Sequence, residues 1–137
     1  MRRRFLSFLL FILFLLACQV TEEEKIYQIL NRRQEALEKR DLAFYLSCIS
    51  KAYQDKEEDF NRLKKRMEGY FKTFDWIVYS SWDRSLHIDG ETATVIQQFH
   101  LEVGKGEKKN RYFDKEALFF KKEGKEWRVV NGLSVPK

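Results

Sequence analysis

The sequence is short of the residues that build metal centres. It has two cysteines, Cys18 and Cys48, and two histidines, His87 and His100. They form no cluster with metal-ligand spacing, so a zinc site of the usual kind would lack ligands. Pro136 is the only proline. There is no low-complexity segment and no internal repeat, which excludes stacked-repeat architectures. No residue pattern calls for a cofactor. A long apolar run is also missing. The one from Phe5 to Ala17, broken only by Ser7, has 13 residues, whereas a spanning helix needs about 20.

That run is preceded by Arg2, Arg3 and Arg4 and followed by Gln19 and then Glu22, Glu23 and Glu24. A charged stretch before an apolar stretch of ~7–15 residues is the pattern of an export signal. Leu15-Leu16-Ala17-Cys18 resembles the lipobox of bacterial lipoproteins, with a bulkier residue at Leu16 than those proteins usually show. The resemblance implies cleavage before Cys18, a diacylglycerol thioether on its sulfur and acylation (palmitate) of the new amino group. Two or more chains anchor stably where one does not. An ordinary signal peptide with a chance cysteine and a short uncleaved anchor are the alternatives. Gln19, where inner-membrane lipoproteins tend to carry Asp, resembles outer-membrane sorting, which places the protein on the periplasmic side in a Gram-negative envelope. The expected division is a signal peptide at 1–17, a lipidated tether at 18–21 and one domain at 22–137.

Cleavage removes three arginines, leaving 26 − 3 = 23 basic against 21 acidic residues, a formal charge of +2. The basic character of the whole chain is therefore partly a property of its signal, and nucleic acid is not an expected partner. With Cys18 lipidated, Cys48 would be the one thiol left, and no intrachain disulfide is expected.

In the domain, Thr21-Glu22-Glu23-Glu24 is a capping box. Ile26, Ile29, Leu30 and Leu37 follow at helical spacing, predicting a helix at about 22–40. Asp41 caps a second, short helix through Leu42, Tyr45, Leu46 and Ile49. Asp55 signals a third at about 56–72, with a stripe of Phe60, Leu63, Met67, Tyr70, Phe71 and Phe74. The period then changes to that of strands, over Trp76–Ile88, Glu91–Val103, Arg111–Lys122 and Glu126–Leu133. Turn signals lie at Asp89-Gly90, Gly104–Glu107 and Glu123-Gly124.

With Asp89-Gly90 as a two-residue turn, Ile88 pairs with Glu91. One face then carries Trp76, Val78, Ser80, Trp82, Arg84, Leu86 and Ile88 against Val103, Leu101, Phe99, Gln97, Val95 and Ala93, and this is the predicted core face. Tyr79, Ile96 and His100 fall on the other. The same reasoning at Glu123-Gly124 pairs Phe120 with Trp127, Leu118 with Val129 and Glu116 with Asn131.

Arg40-Asp41 after the first helix, Tyr53-Gln54-Asp55 before the third, and Lys122-Glu123-Gly124-Lys125-Glu126-Trp127-Arg128-Val129 in the closing hairpin resemble the nuclear transport factor 2-like superfamily, including its SnoaL-like and ketosteroid-isomerase-like domains. Element order agrees over about 22–135. The resemblance implies an α+β cone, three helices packed on a curved antiparallel sheet, with a pocket at its open end and pairing of copies through the outer sheet face. The superfamily hosts isomerases, dehydratases and non-catalytic binding domains, so fold alone chooses no function.

The expected pocket is lined by Tyr53, Asp55, Ser80, Trp82, Arg84, Gln97, Asp114, Glu116 and Asn131. Most of these are polar residues on an apolar face, where an unsatisfied group costs ~1–3 kcal/mol. Arg84 is open to two readings: an anion clamp, or a partner of Glu116 or Asp114. Asp55 is either a pocket residue or the helix cap, and Tyr53 either lines the pocket or packs in the core. An isomerase- or hydratase-type enzyme would use Asp114 or Glu116 as base, with Tyr53 and Asp55 as further candidates. No fixed motif marks that base, so the leading expectation is a non-catalytic envelope lipoprotein. Its domain would bind a small ligand or a protein, and copies would pair through the outer sheet face.

Overall fold

The computed structural model describes residues 19–56 and 58–133. Cys18, the signal segment and residues 134–137 lie outside the described residues. Three helices precede a four-stranded antiparallel meander, the α+β class expected.

Helix α1 (Glu22–Lys39) starts at the predicted capping box: Thr21 Oγ1 accepts the Glu24 N–H, and Glu24 accepts the Thr21 N–H. It ends where Arg40 turns left-handed at φ 53°. Helix α2 (Leu42–Ser47) is capped by Asp41, which accepts the Phe44 N–H at 2.9 Å. The chain leaving α2 is tied to the last strand, since Ser50 N–H donates to Val129 O and Val129 N–H to Cys48 O.

The third helix corrects the sequence reading. Asp55 is not its cap. Residues Gln54–Asp55 (β1) and Glu58–Asp59 (β2) form a small hairpin, with Lys56 at φ 44°. The cap is Asp59, which accepts the Arg62 N–H at 2.9 Å, so α3 runs from Phe60 to Thr73. Either aspartate suits an N-cap; the hairpin decides between them.

The sheet consists of β3 (Trp76–Asp89), β4 (Thr92–Lys105), β5 (Lys108–Glu123) and β6 (Glu126–Asn131), in that order. Asp89 pairs with Thr92, so the first turn is Gly90-Glu91, one residue later than expected. Gly90 supplies the positive φ the turn needs, 59°. That slip moves each partner by two residues and leaves every side chain on its predicted face. A β-bulge then changes the face. Asp83 and Arg84 together oppose Gln97, with Asp83 at φ 52°. Because side chains alternate with period two, one extra residue inverts the strand before it.

Ile77 and Tyr79 therefore point into the core, whereas Val78, Ser80 and Trp82 point outward, the reverse of the sequence reading for that half of β3. Trp76 lies against Gly104, where a Cβ would come within 2.1 Å of the indole.

The closing hairpin repeats the pattern. Glu123 pairs with Glu126, the turn is Gly124-Lys125, and Trp127 pairs with Lys122 rather than Phe120. A second bulge sets Asn131 opposite Phe119 and not Glu116.

The concave face buries Val95, Phe99, Leu101, Leu118, Phe120, Trp127 and Val129 against Ile26 and Leu37 of α1, Tyr45 of α2 and Leu63, Met67 and Phe71 of α3. Met67 and Trp127 are buried, as the periodicity required. No helix among the described residues is long and apolar enough to cross a membrane.

Candidate functional site

Inside the apolar cone sits one polar cluster, with a member from each of α1, β3, β4 and β5. Glu116 of β5 and Gln97 of β4 are backbone partners. The bulge turns Tyr79 of β3 toward them. Arg33 of α1 descends from above and is only 1% exposed.

The Glu116 carboxylate is the hub. Arg33 donates to it twice, Nη1 to Oε1 at 2.9 Å and Nη2 to Oε2 at 3.2 Å. Tyr79 donates its hydroxyl to Oε1 at 2.5 Å, and Gln97 Nε2 donates to the same oxygen at 2.7 Å. The Tyr79 oxygen in turn accepts from Arg33 Nη1 and Gln97 Nε2, and the Arg33 guanidinium lies 5.1 Å from the Tyr79 ring centre. Two buried groups near this cluster, Arg33 Nε and the Tyr45 hydroxyl, have no hydrogen-bond partner among the described residues.

The electrostatics follow from this geometry. Burial on its own pushes the Glu116 carboxyl up, but the Arg33 charge and the hydrogen bonds from Arg33, Tyr79 and Gln97 outweigh it and hold the group below the ordinary carboxylate value. Burial lowers the Arg33 guanidinium, and the Glu116 charge more than reverses that. The Tyr79 hydroxyl is pushed up to about 12, chiefly by burial.

A depressed carboxylate stabilises the fold above its unfolded pKa, ~4.3, and loses that contribution as pH falls through its lower folded value. Glu116→Gln is therefore expected to be much less stable than the parent at pH 7, with the gap closing below about pH 4. Urea melts at the two pH values check this, and a gap independent of pH would mean that Glu116 is not held ionised.

Of the predicted pocket residues, Gln97 and Glu116 meet here. Arg84 shares their concave face but pairs with neither predicted carboxylate. Its Nε donates to Gln97 Oε1 at 3.0 Å and its Nη2 to Ser81 Oγ at 2.8 Å, and its guanidinium lies 5.9 Å from the Tyr27 ring centre. Asp114, opposite Phe99, is exposed and accepts the Lys115 N–H. Ser80 and Trp82 lie outside because the bulge inverted them. Asn131 is drawn to the β1 hairpin, where Nδ2 donates to Gln54 O at 2.7 Å. Tyr53 is buried, and its hydroxyl accepts the Leu133 N–H at 3.3 Å. Asp55 sits in β1.

Sequence reasoning missed Arg33 and Tyr79. Arg33 occupies an apolar-stripe position of α1, three residues after Leu30 and four before Leu37. Unbroken alternation along β3 puts Tyr79 outward, and the bulge breaks that parity.

A general base needs an available lone pair and a pKa near the working pH. Glu116 Oε1 receives three donors, and its pKa is displaced the wrong way. Arg33 has both terminal nitrogens engaged, so it is not held out for an anion. The cluster ties α1 to the sheet through Arg33.

No family model matches the sequence, and no curated protein does. Solved structures do match its fold. A candidate dehydratase of the NTF2-like family from Streptomyces avermitilis superposes with TM-score 0.71 at 12% identity, covering 80% of this chain and 91% of that one. A candidate scytalone dehydratase from Novosphingobium aromaticivorans gives 0.74 at 11%, covering 81% and 80%. An NTF2-like superfamily protein from Salmonella enterica serovar Typhimurium gives 0.71 at 15%, covering 83% and 90%. The chain has the NTF2-like cone fold.

Proposed function

We propose that the protein is a lipid-anchored envelope component whose domain binds another protein, without catalysis, on the outer face of its sheet. The observation that carries this reading is the set of large apolar side chains exposed on that face. Phe113 is 69% and Trp82 44% exposed, with Val78, Ile96 and Phe119 also in solvent. His100 stacks on Phe113 at 4.5 Å, and Glu102, Lys109 and Arg111 form a charged edge beside them. Apolar exposure concentrated on one face and rimmed by charge marks an interaction site.

A second copy is the first partner to test. Light scattering of a chain starting at Gln19 is expected to give a dimer at high micromolar concentration, and Phe113→Asp to give a monomer. A monomeric parent would rule out self-association.

The anchor rests on the lipobox. Cys18→Ala is expected to abolish processing and to move the protein out of the detergent-extracted membrane fraction. Unchanged processing and membrane retention would remove the lipid from this reading.

The rival is an isomerase- or hydratase-type enzyme. Its support is the short Tyr79–Glu116 contact and the dehydratase descriptions of two structural neighbours. It would use Asp114, which is exposed, or Glu116, whose pKa is displaced downward by Arg33 and its hydrogen bonds, as base.

A further inference from the structure

We infer that the side of the domain formed by α1, the end of α2 and the β5–β6 hairpin docks on an anionic phospholipid surface. This inference rests on the lipid-anchor reading only for its geometry.

Two adjoining clefts open on this side. One, about 210 Å³, lies between Lys25, Gln28 and Arg32 of α1 and the turn at Lys125. The other, about 400 Å³, has Leu46 and Ile49 in its floor and Lys51, Glu123 and Arg128 around it. They are joined at two points. Arg32 Nη2 donates to Ser47 Oγ of the second cleft at 3.4 Å, and Arg128 of the second pairs with Glu126 of the first at 2.6 Å.

The charge is uneven. Lys25, Arg32, Lys51, Lys125 and Arg128 line the clefts against Glu123 and Glu126, five positive and two negative, or +3. The chain without its signal carries 23 positive and 21 negative side chains. Outside the clefts it therefore has 18 positive and 19 negative, or −1. Glu22 and Lys122, which pair beside the first cleft at 3.2 Å, leave that comparison unchanged. The residues lining the two clefts thus carry a positive excess that the remaining side chains of the sequence do not, over partly apolar ground.

The position supplies the occupant. Lys25, Gln28 and Arg32 form one stripe starting in the first turn of α1. Only Gln19, Val20 and Thr21 separate Cys18 from that helix, a reach of about 10 Å at ~3.3–3.6 Å per residue. A lipid on Cys18 thus brings this stripe to headgroup level, where cationic side chains are attracted to anionic lipid over about a Debye length.

The test uses the chain beginning at Gln19, which keeps every described residue and has no lipid. It is sedimented with phosphatidylcholine vesicles, with and without about one-third phosphatidylglycerol. Binding is expected only to the anionic vesicles and is expected to vanish in about 0.5 M salt. Arg32→Gln/Lys51→Gln/Lys125→Gln should weaken it by roughly tenfold or more. Lys64→Gln/Lys65→Gln/Lys108→Gln, an equal charge loss elsewhere, should leave it near the parent. Thermal melts confirm folding, and Lys125→Gln alone, at an exposed turn, serves if the triple variant unfolds. Absence of binding, equal binding to neutral vesicles or equal loss in the control variant overturns the inference. Because this chain lacks Cys18, these outcomes are independent of whether Cys18 is lipidated.

Discussion

Arg33→Met is expected to lower stability by about 3–5 kcal/mol, because it leaves the Glu116 carboxylate buried without its counter-charge. Native domains are stable by only about 5–15 kcal/mol, so this is a large fraction of the total. Chemical denaturation of the parent and variant at neutral pH measures it. Two comparisons show that the loss belongs to the pair. Arg33→Met/Glu116→Met should be more stable than Arg33→Met alone, since replacing both charges with apolar groups is often neutral or stabilising, although Tyr79 and Gln97 then lose an acceptor. Arg84→Met should cost much less than Arg33→Met, because Arg84 bonds to Gln97 and Ser81 and compensates no buried charge. A loss below about 1 kcal/mol for Arg33→Met, or additive single and double variants, would mean that the ion pair is not coupled as described.

The same pair shows how far the sequence could be read. Capping residues, helical stripes and turn dipeptides are local, and Thr21, Asp41, Met67 and Trp127 lie where those signals put them. Even the misplaced turns at Gly90 and Gly124 did little damage, because a shift of two residues preserves the face of every side chain. The bulge at Asp83–Arg84 is different. It is a single inserted residue with no composition of its own, and it exchanges Tyr79 for Ser80 on the concave face. The site read from the sequence was therefore assembled with the wrong half of β3, and Trp82 moved from the pocket to the outer surface. Arg33 was legible in principle. An arginine inside an apolar helical stripe needs a buried partner, and Glu116 on an apolar strand face needs one too. What the sequence does not supply is the pairing of α1 with β5, through two residues 83 apart in the chain, so Arg84, nearer to Glu116 in the chain, stands as the obvious partner.

The proposed protein-binding reading places the functional surface on the outside of the cone. A carboxylate acting as base needs a free lone pair, and here Glu116 accepts from Arg33, Tyr79 and Gln97. The inverted half of β3 delivers Val78 and Trp82 to the outer face, where they join Ile96, Phe113 and Phe119. One bulge thus both places Tyr79 against the buried carboxylate and enlarges the apolar outer face.

Trp127→Ala is expected to cost about 3–5 kcal/mol by the cavity it leaves, and Trp127→Phe much less. Trp127 is 1% exposed in β6, yet its indole N–H reaches out of the core to Glu22 Oε2 at 2.6 Å. Glu22, the first residue of α1, also accepts from Lys25 at 2.9 Å and pairs with Lys122 at 3.2 Å. Hydrogen bonds from Lys25, Trp127 and Lys122 hold its carboxyl down at about 2. The ring thus packs the core while its nitrogen holds the first residue of α1. The two variants separate these roles. Trp127→Phe keeps most of the ring but removes the donor, so the Glu22 carboxyl should titrate higher, followed by its side-chain NMR shifts, with the helix core intact. Trp127→Ala should lose the packing as well. If Trp127→Ala costs less than about 1 kcal/mol, the burial of β6 against α1 is wrong. If Glu22 titrates unchanged in Trp127→Phe, the indole is not its partner, and Glu22 is tied to the sheet through Lys122 instead.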